Sequence, residues 1–313
     1  MEKVKVLVID HMHPSIVPLL MEAGCEVDYL PEATRSEVLA NIAAYDGLIL
    51  RSKTKVDQTL LQHADGLKFI GRSGAGLDGI DVEFANSKGI EVLHAAEGNR
   101  DAVAEHTIGM LLALMNNFKQ AQQEIAHFEW NREGNRGYEI KGKTVAIIGF
   151  GHMGSAVAER LLNWGCRVIT YDRFKTIKFD GVEQVELADV FAQADIVSFH
   201  VPLTDLTRDW VDFKFWSRFS KPVWTVNTSR GEILNLANLT QAIKSGKVLG
   251  AGLDVLENER FETLTNEQQI VIGELTRLKN VIFSPHIAGW TFESYVKLNE
   301  VLIQKVKKIL RKD

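Results

Sequence analysis

Short apolar runs rich in Val, Ile and Leu alternate with amphipathic stretches along almost the whole chain. Ten of them read as strands, at residues 4–9, 47–50, 67–70, 90–93, 145–149, 167–171, 196–200, 223–227, 250–254 and 281–284. Patterns of helical period fill most of the gaps, at 36–44, 82–87, 155–164 and 238–245. Continuous apolar strands separated by helices suit parallel sheets covered on both faces. Ten strands are too many for one small sheet. The predicted fold is α/β, with two doubly wound parallel sheets.

A weak internal echo supports that division. Residues 4–30 read strand, His11-Met12, helix, Gly24-Cys25, strand, and residues 145–171 read strand, His152-Met153, helix, Gly165-Cys166, strand. The interval from His to Gly is 13 in each copy (24 − 11 and 165 − 152). Only the second copy carries a glycine-rich turn, so only it is expected to hold a dinucleotide. Between the halves, a helical stretch from Asp101 to about His127 carries apolar residues on nearly every face, which implies burial between layers or subunits. Gly109 within it costs ~1 kcal/mol relative to Ala, and close approach of another backbone is expected to compensate. No low-complexity linker appears, so the halves are expected to be joined through helices and separated by a cleft.

Composition adds few limits. Hydrophobic residues make up 45% and charged residues 25%, an ordinary balance for a soluble globular chain. The 36 basic and 41 acidic residues leave a net charge of −5 with no long basic run, so a nucleic-acid partner is not expected. No apolar run approaches the roughly 20 residues that span a bilayer. Residues 1–10 lack the basic-then-apolar order of a secretory leader, and a cytoplasmic location is expected. Cys25 and Cys166 form no C-x-x-C pair, so neither a metal site nor a disulfide framework is expected. Both read as core residues.

The strongest local signal is Val145-Ala-Ile-Ile-Gly149-Phe-Gly151-His-Met-Gly154. It follows a buried strand, opens a helix and leads to a second strand ending Tyr171-Asp172. Gly149 suits a tight turn, Gly151 a close approach of pyrophosphate to the backbone, and Gly154 close helix–strand packing. Asp172 lies 18 residues after Gly154, near the spacing of about 20 expected for a carboxylate on a ribose 2′-hydroxyl. That carboxylate repels a 2′-phosphate. The expected cofactor is NAD.

A second constellation follows three further strands: Asn227-Thr-Ser-Arg230-Gly231, Leu253-Asp254-Val-Leu-Glu257-Asn-Glu259, and Ser284-Pro-His286-Ile-Ala-Gly289. All three are strand C-terminal ends, where open α/β sheets place ligands. They bring an Arg that can hold a carboxylate, and a His that can exchange a proton beside a Glu. On spacing alone, Glu257 and Glu259 compete for that role.

With these motifs the chain resembles the D-isomer-specific 2-hydroxyacid dehydrogenases. The likeness includes Arg51-Ser-Lys-Thr-Lys-Val56, Gly71-Arg-Ser-Gly-Ala-Gly-Leu-Asp78, Ala104-Glu-His-Thr107, the glycine turn and His200-Val-Pro-Leu203. It continues through the three segments just named. The resemblance implies a Rossmann NAD-binding domain, residues 95–289, inserted into a flavodoxin-like substrate domain of residues 1–94 plus 290–313. It also implies homodimers formed largely through the former. Arg230 then binds the substrate carboxylate and carbonyl, His286 moves the proton, and Glu259 pairs with His286. His152, Met153, Asp172, Thr207, Thr228, Asp254 and Gly289 resemble cofactor contacts. Backbone groups of Ser73, Gly74, Ala75 and Gly76 resemble a carboxylate anchor. Arg260 and Trp290 depart from the family, standing where Pro and a small residue are usual. Arg51 and Arg72 match the branch that acts on 3-phosphoglycerate, whose phosphate they suit, with Lys53 as a third charge. Reduction of glyoxylate or hydroxypyruvate is the alternative activity. A non-catalytic NAD-sensing protein is a more remote one.

Overall fold

A computed structural model describes residues 3–311; Met1, Glu2, Lys312 and Asp313, the outermost residues of the expected substrate domain, lie outside the described residues. The chain forms two compact units, Met1–Arg100 with Trp290–Asp313, and Asp101–Gly289. The division falls inside the Ala96–Met115 helix rather than ahead of it at Ala95.

The first unit contains β1 (Lys5–Val8), β2 (Glu26–Tyr29), β3 (Gly47–Leu50), β4 (Phe69–Arg72) and β5 (Glu91–His94). They are all parallel and ordered β2-β1-β3-β4-β5, the flavodoxin-like order. Successive residues of β1 feed opposite faces, as the strand period requires. Val6 and Val8 pack with Leu298, Leu302, Ile303 and Val306 of the C-terminal helix Phe292–Ile309. Leu7 instead packs with Val38, Ile42, Leu60 and Leu61.

The second unit contains β6 (Thr144–Ile148), β7 (Arg167–Tyr171), β8 (Val182–Gln184), β9 (Ile196–Phe199), β10 (Val223–Asn227), β11 (Val248–Leu253) and β12 (Val281–Phe283). The seven strands are parallel in the order β12-β11-β10-β9-β6-β7-β8. Crossing from β6 to β9 reverses the strand order, so ligands belong at the C-terminal end of β6. Ala146 and Ile148 point into an aromatic-rich core with Phe191, Phe199 and Trp216, while Val145 and Ile147 face Leu111, Val157 and Leu161.

Three expectations need correction. β8 has a single partly buried residue, Val182, and gives no apolar run to read. The stretch from Asp101 to His127 is two helices, Ala96–Met115 and Phe118–Ala126, broken where Asn117 takes φ 55°. Asn is among the few residues that tolerate that conformation. Gly109 is approached by no backbone from outside its own helix among the described residues, where nothing lies within 4 Å of its Cβ position. Close approach occurs one helix end away, where a Cβ on Gly98 would lie 2.8 Å from the Leu298 backbone. Both cysteines are buried free thiols, and burial, aided by Asp46, pushes Cys25 up to about 11. No helix among the described residues is long and apolar enough to cross a membrane, and none of their His, Cys, Asp and Glu side chains cluster as a metal site.

Candidate active site

β6 ends at Ile148, and the chain turns through Gly149 at φ 90°. A Cβ there would also stand 2.6 Å from the His200 carbonyl oxygen, so glycine is required twice over. Gly154 lies over the same turn, where a Cβ would meet the Gly149 oxygen at 2.2 Å. Gly151 differs from both. Among the described residues nothing lies within 4 Å of its Cβ position, and as N-cap of the His152–Asn163 helix it supplies no side chain to the helix N–H groups. Those donors and the positive end of the helix dipole suit an anion.

Asp172, just past β7, accepts from the Phe150 N–H at 2.9 Å and from the Phe174 and Lys175 N–H groups at 3.0 Å each. Burial alone would raise its carboxyl, but the three N–H groups and the Lys175 charge hold it below the usual carboxylate range. The open Gly151, the uncapped helix and this anchored carboxylate form a set that fits a dinucleotide. His152 and Met153 begin the helix. Thr207 bonds within its own exposed loop, accepting from the Thr204 N–H at 2.8 Å and donating to Pro202 at 2.7 Å. Buried Thr228 pairs with Thr107 at 2.9 Å.

Asp254, at the end of β11, has a fully buried carboxylate. One oxygen accepts from the Ser284 hydroxyl at 2.5 Å and the Ile287 N–H at 2.9 Å, and the other from the Ala288 N–H at 2.9 Å. Its carbonyl accepts the His286 N–H at 2.7 Å. His106 Nε2 completes the cluster, 2.9 Å from Ser284 Oγ. This network holds the loop in which His286 takes φ 53°, a left-handed conformation costing about 1–3 kcal/mol that persists only where the surroundings fix it. Gly289 follows as the last residue of the second unit.

On that loop, His286 Nδ1 lies 2.9 and 2.8 Å from the two Glu259 carboxylate oxygens. Burial tends to raise the Glu259 carboxyl. The His286 hydrogen bond and charge, a backbone hydrogen bond from Leu256 and the Arg230 charge outweigh it and hold the group below the usual range. Glu257 points elsewhere: it accepts the Leu236 N–H at the start of the Leu236–Lys244 helix, and burial with the charges of Asp209 and Glu232 raises its carboxyl. The ambiguity left by spacing is therefore resolved by geometry in favour of Glu259.

Arg230 sits on a turn built by Asn227, whose Nδ2 donates to the Arg230 carbonyl at 2.9 Å and whose Oδ1 accepts from the Ser229 N–H at 3.0 Å. The next residue, Gly231, admits no side chain, because a Cβ would stand 1.9 Å from the Leu256 carbonyl carbon. That approach fastens the Arg230 turn to the Leu256–Glu259 segment.

The other expected substrate residues belong to the first unit. Buried Asp10 accepts the N–H groups of Arg51, of Ser52 at 2.8 Å and of Lys53 at 3.3 Å, and so shapes the turn after β3. Arg72 Nε donates to the Arg51 carbonyl at 3.1 Å. The Lys53 ammonium turns away to the Pro31 carbonyl. Ser73 Oγ donates to Asn299 at 3.1 Å, while the Ser73 and Gly74 N–H groups donate to Leu50 and Arg72, each at 2.9 Å. Of the other two residues expected to form the carboxylate anchor, Ala75 and Gly76, neither N–H donates to a backbone carbonyl among the described residues. Asp10 and His106 are components that sequence reasoning missed. His106 stood in a quoted motif, but nothing local links it to Ser284, 178 positions away.

With this geometry in place, comparison with known proteins identifies the class. Residues 108–288 match the family described as D-isomer specific 2-hydroxyacid dehydrogenase, NAD binding domain. The chain belongs to the D-isomer specific 2-hydroxyacid dehydrogenases and carries their NAD-binding domain. Over 98% of its length it is 36% identical to the D-3-phosphoglycerate dehydrogenase of Methanocaldococcus jannaschii, and it spans 58% of that relative. It is 35% identical to the hydroxypyruvate reductase of Thermotoga maritima, covering 99% of each. The crystal structure of a D-lactate dehydrogenase from Aquifex aeolicus, complexed with NAD and lactic acid, superposes with a TM-score of 0.83 at 26% identity, over 99% of this chain and 96% of that one.

Proposed function

We propose that this protein is an NAD-dependent oxidoreductase interconverting a D-2-hydroxy acid and its 2-oxo acid, with 3-phosphoglycerate and 3-phosphohydroxypyruvate as the leading pair. The observation that carries the reaction class is the His286–Glu259 pair beside the Arg230 turn. With Nδ1 committed to Glu259, Nε2 of His286 is the nitrogen that gives a proton to the C2 oxygen in reduction and recovers it in oxidation. Arg230 binds the substrate carboxylate and stabilises the charge developing on that oxygen. Gly149, Gly151, Gly154 and Asp172 hold the dinucleotide, which supplies the hydride acceptor or donor when bound. Asp254 keeps the His286 loop in register, and the N–H groups of Ala75 and Gly76 anchor the substrate carboxylate.

The phosphorylated substrate rests on Arg51 and Arg72, two guanidiniums at adjacent strand ends. It also rests on the likeness to the M. jannaschii enzyme named D-3-phosphoglycerate dehydrogenase. The likeness to the T. maritima hydroxypyruvate reductase supports the second reading. The proposal includes a cytoplasmic setting, in keeping with two free thiols. It also includes a homodimer, in which a second copy covers the exposed Phe118, Phe128 and Trp130 of the second unit.

A panel of 2-oxo acids assayed by NADH oxidation tests the reading. The expected order of kcat/KM is phosphohydroxypyruvate above hydroxypyruvate and glyoxylate. Highest activity on hydroxypyruvate transfers the reading to the reductase. Stoichiometric NADH binding without turnover on any member overturns the enzymatic reading in favour of an NAD sensor.

A further inference from the structure

Four side chains of the first unit form a column, and three of them, His13, Tyr295 and Trp290, have no part in the reaction as proposed. The ring of His13 meets Tyr295 edge-on at 5.5 Å, and Tyr295 tilts against Trp290 at 4.9 Å. The Arg51 guanidinium carbon lies 4.3 Å from the Trp290 ring centroid and 5.5 Å from that of Tyr295. Both ends of the column are tied down. His13 Nδ1 lies 3.0 Å from Ser15 Oγ, and buried Asn299 bridges the Ser15 hydroxyl and the His13 carbonyl, each at 3.1 Å. The Asp10 carboxylate gathers the N–H groups of residues 51–53 and fixes the backbone from which Arg51 projects.

A guanidinium lying on an indole is held by the ring quadrupole, and all five of its N–H donors stay in its own plane. A contact of this kind therefore restrains the cation through its charge rather than through its hydrogen bonds. The Arg51 guanidinium hydrogen bond to the His11 carbonyl is long, at 3.4 Å, so it does little to orient the group. A small residue at position 290 offers no such face.

We infer that Trp290, backed by Tyr295, is a positioning residue that determines specificity: it presets the Arg51 fork for a phosphate monoester at the far end of the 2-oxo acid. This rests on the reading of Arg51 as a phosphate ligand. Trp290 acts through Arg51 rather than by touching the reacting atoms. Its effect must therefore appear as a change in preference between substrates, and must vanish when Arg51 is gone.

The test uses the full chain with saturating NADH and four proteins: wild type, Trp290→Ala, Arg51→Ala and the double variant. Trp290→Phe is a fifth that keeps an aromatic face. Trp290→Ala should lower the ratio of kcat/KM for phosphohydroxypyruvate to that for glyoxylate by about tenfold, mostly through KM, as expected for a contact of cation–π strength. Trp290→Phe should recover most of that ratio. In the Arg51→Ala background, Trp290→Ala should cost nothing further. Inorganic phosphate should compete with phosphohydroxypyruvate less effectively in Trp290→Ala than in wild type. Additive losses in the double variant overturn the inference, because independent effects add. So does a Trp290→Phe protein as impaired as Trp290→Ala. A wild-type enzyme without preference for the phosphorylated acid instead overturns the substrate reading on which the inference stands.

Discussion

Glu259 approaches Nδ1 of His286 with both carboxylate oxygens, at 2.9 and 2.8 Å, although both side chains remain close to half exposed. The pair fixes the ring through Nδ1 and so makes Nε2 the nitrogen through which a proton can be exchanged. His286→Ala should therefore reduce turnover by about 10²–10⁴-fold, the usual contribution of positioned acid–base catalysis, with NADH affinity little changed. Glu259→Gln keeps one hydrogen bond and loses the charge, so its loss of turnover should be smaller. Stopped-flow NADH oxidation with fluorescence titration of NADH checks both. Near-normal turnover in His286→Ala would show that another group donates the proton.

The two doubly wound sheets were legible because buried parallel strands leave continuous apolar runs. Asp172 and the three glycines were legible because their spacing is set by one local turn. What could not be read is contact across long separations. Nothing near Asp10 announces that its carboxylate collects three N–H groups beyond β3. Glu257 and Glu259 share composition and spacing, and only the direction of each side chain separates a helix cap from a histidine partner. Gly109 and Gly98 share one helix, yet the tight contact belongs to the one without an apolar run around it.

In the proposed function, Asp172 sets the cofactor preference through charge. Its carboxylate is ionised and anchored by the N–H groups of Phe150, Phe174 and Lys175. A 2′-phosphate would bring about −1.5 to −2 further charges beside it. Asp172→Ala should weaken NADH binding and narrow its advantage over NADPH, with Arg173 adjacent to pair with the phosphate. Comparison of the two dissociation constants in both proteins measures the effect. A wild-type protein that prefers NADPH would contradict this role.

His200 gives the second unit a pH-dependent stability term. Burial lowers its pKa from 6.5 to about 4, so the folded protein keeps it neutral. Between those values the unfolded chain binds a proton that the folded chain refuses. The stabilisation is complete above pH 6.5 and is lost as pH falls toward 4, to an upper bound of ~3 kcal/mol. His200→Gln should flatten this part of the profile. Urea unfolding at a series of pH values, wild type against variant, checks the difference.

Two glycines of the Ala96–Met115 helix should respond oppositely to alanine. At Gly109 the added methyl meets open space, so Gly109→Ala should stabilise the fold by about 0.4–1 kcal/mol, the gain from a less flexible unfolded chain. At Gly98 the methyl would stand 2.8 Å from the backbone of Leu298. The C-terminal helix must move to admit it, and overpacking of this kind costs about 1–3 kcal/mol. Urea midpoints of the two variants should fall on either side of wild type. A destabilised Gly109→Ala would indicate that a second copy packs closely at that position.

The substrate preference should be visible in Arg51 and Arg72. They follow β3 and end β4, neighbouring parallel strands, so both guanidiniums start from the same edge of one sheet. Arg72 Nε is bound to the Arg51 carbonyl, which links the two positions. A phosphate monoester can accept from both arginines, and hydrogen bonds to charged groups contribute about 1.5–3 kcal/mol each. Losing one should lower kcat/KM for phosphohydroxypyruvate by about 10–150-fold. Glyoxylate carries no group at that end, so the same substitutions should cost it far less. Arg51→Ala and Arg72→Ala, each assayed on both acids with NADH, decide the matter. Equal losses on the two substrates would mean that these arginines hold the common carboxylate or the fold itself, and the reductase reading would then lead.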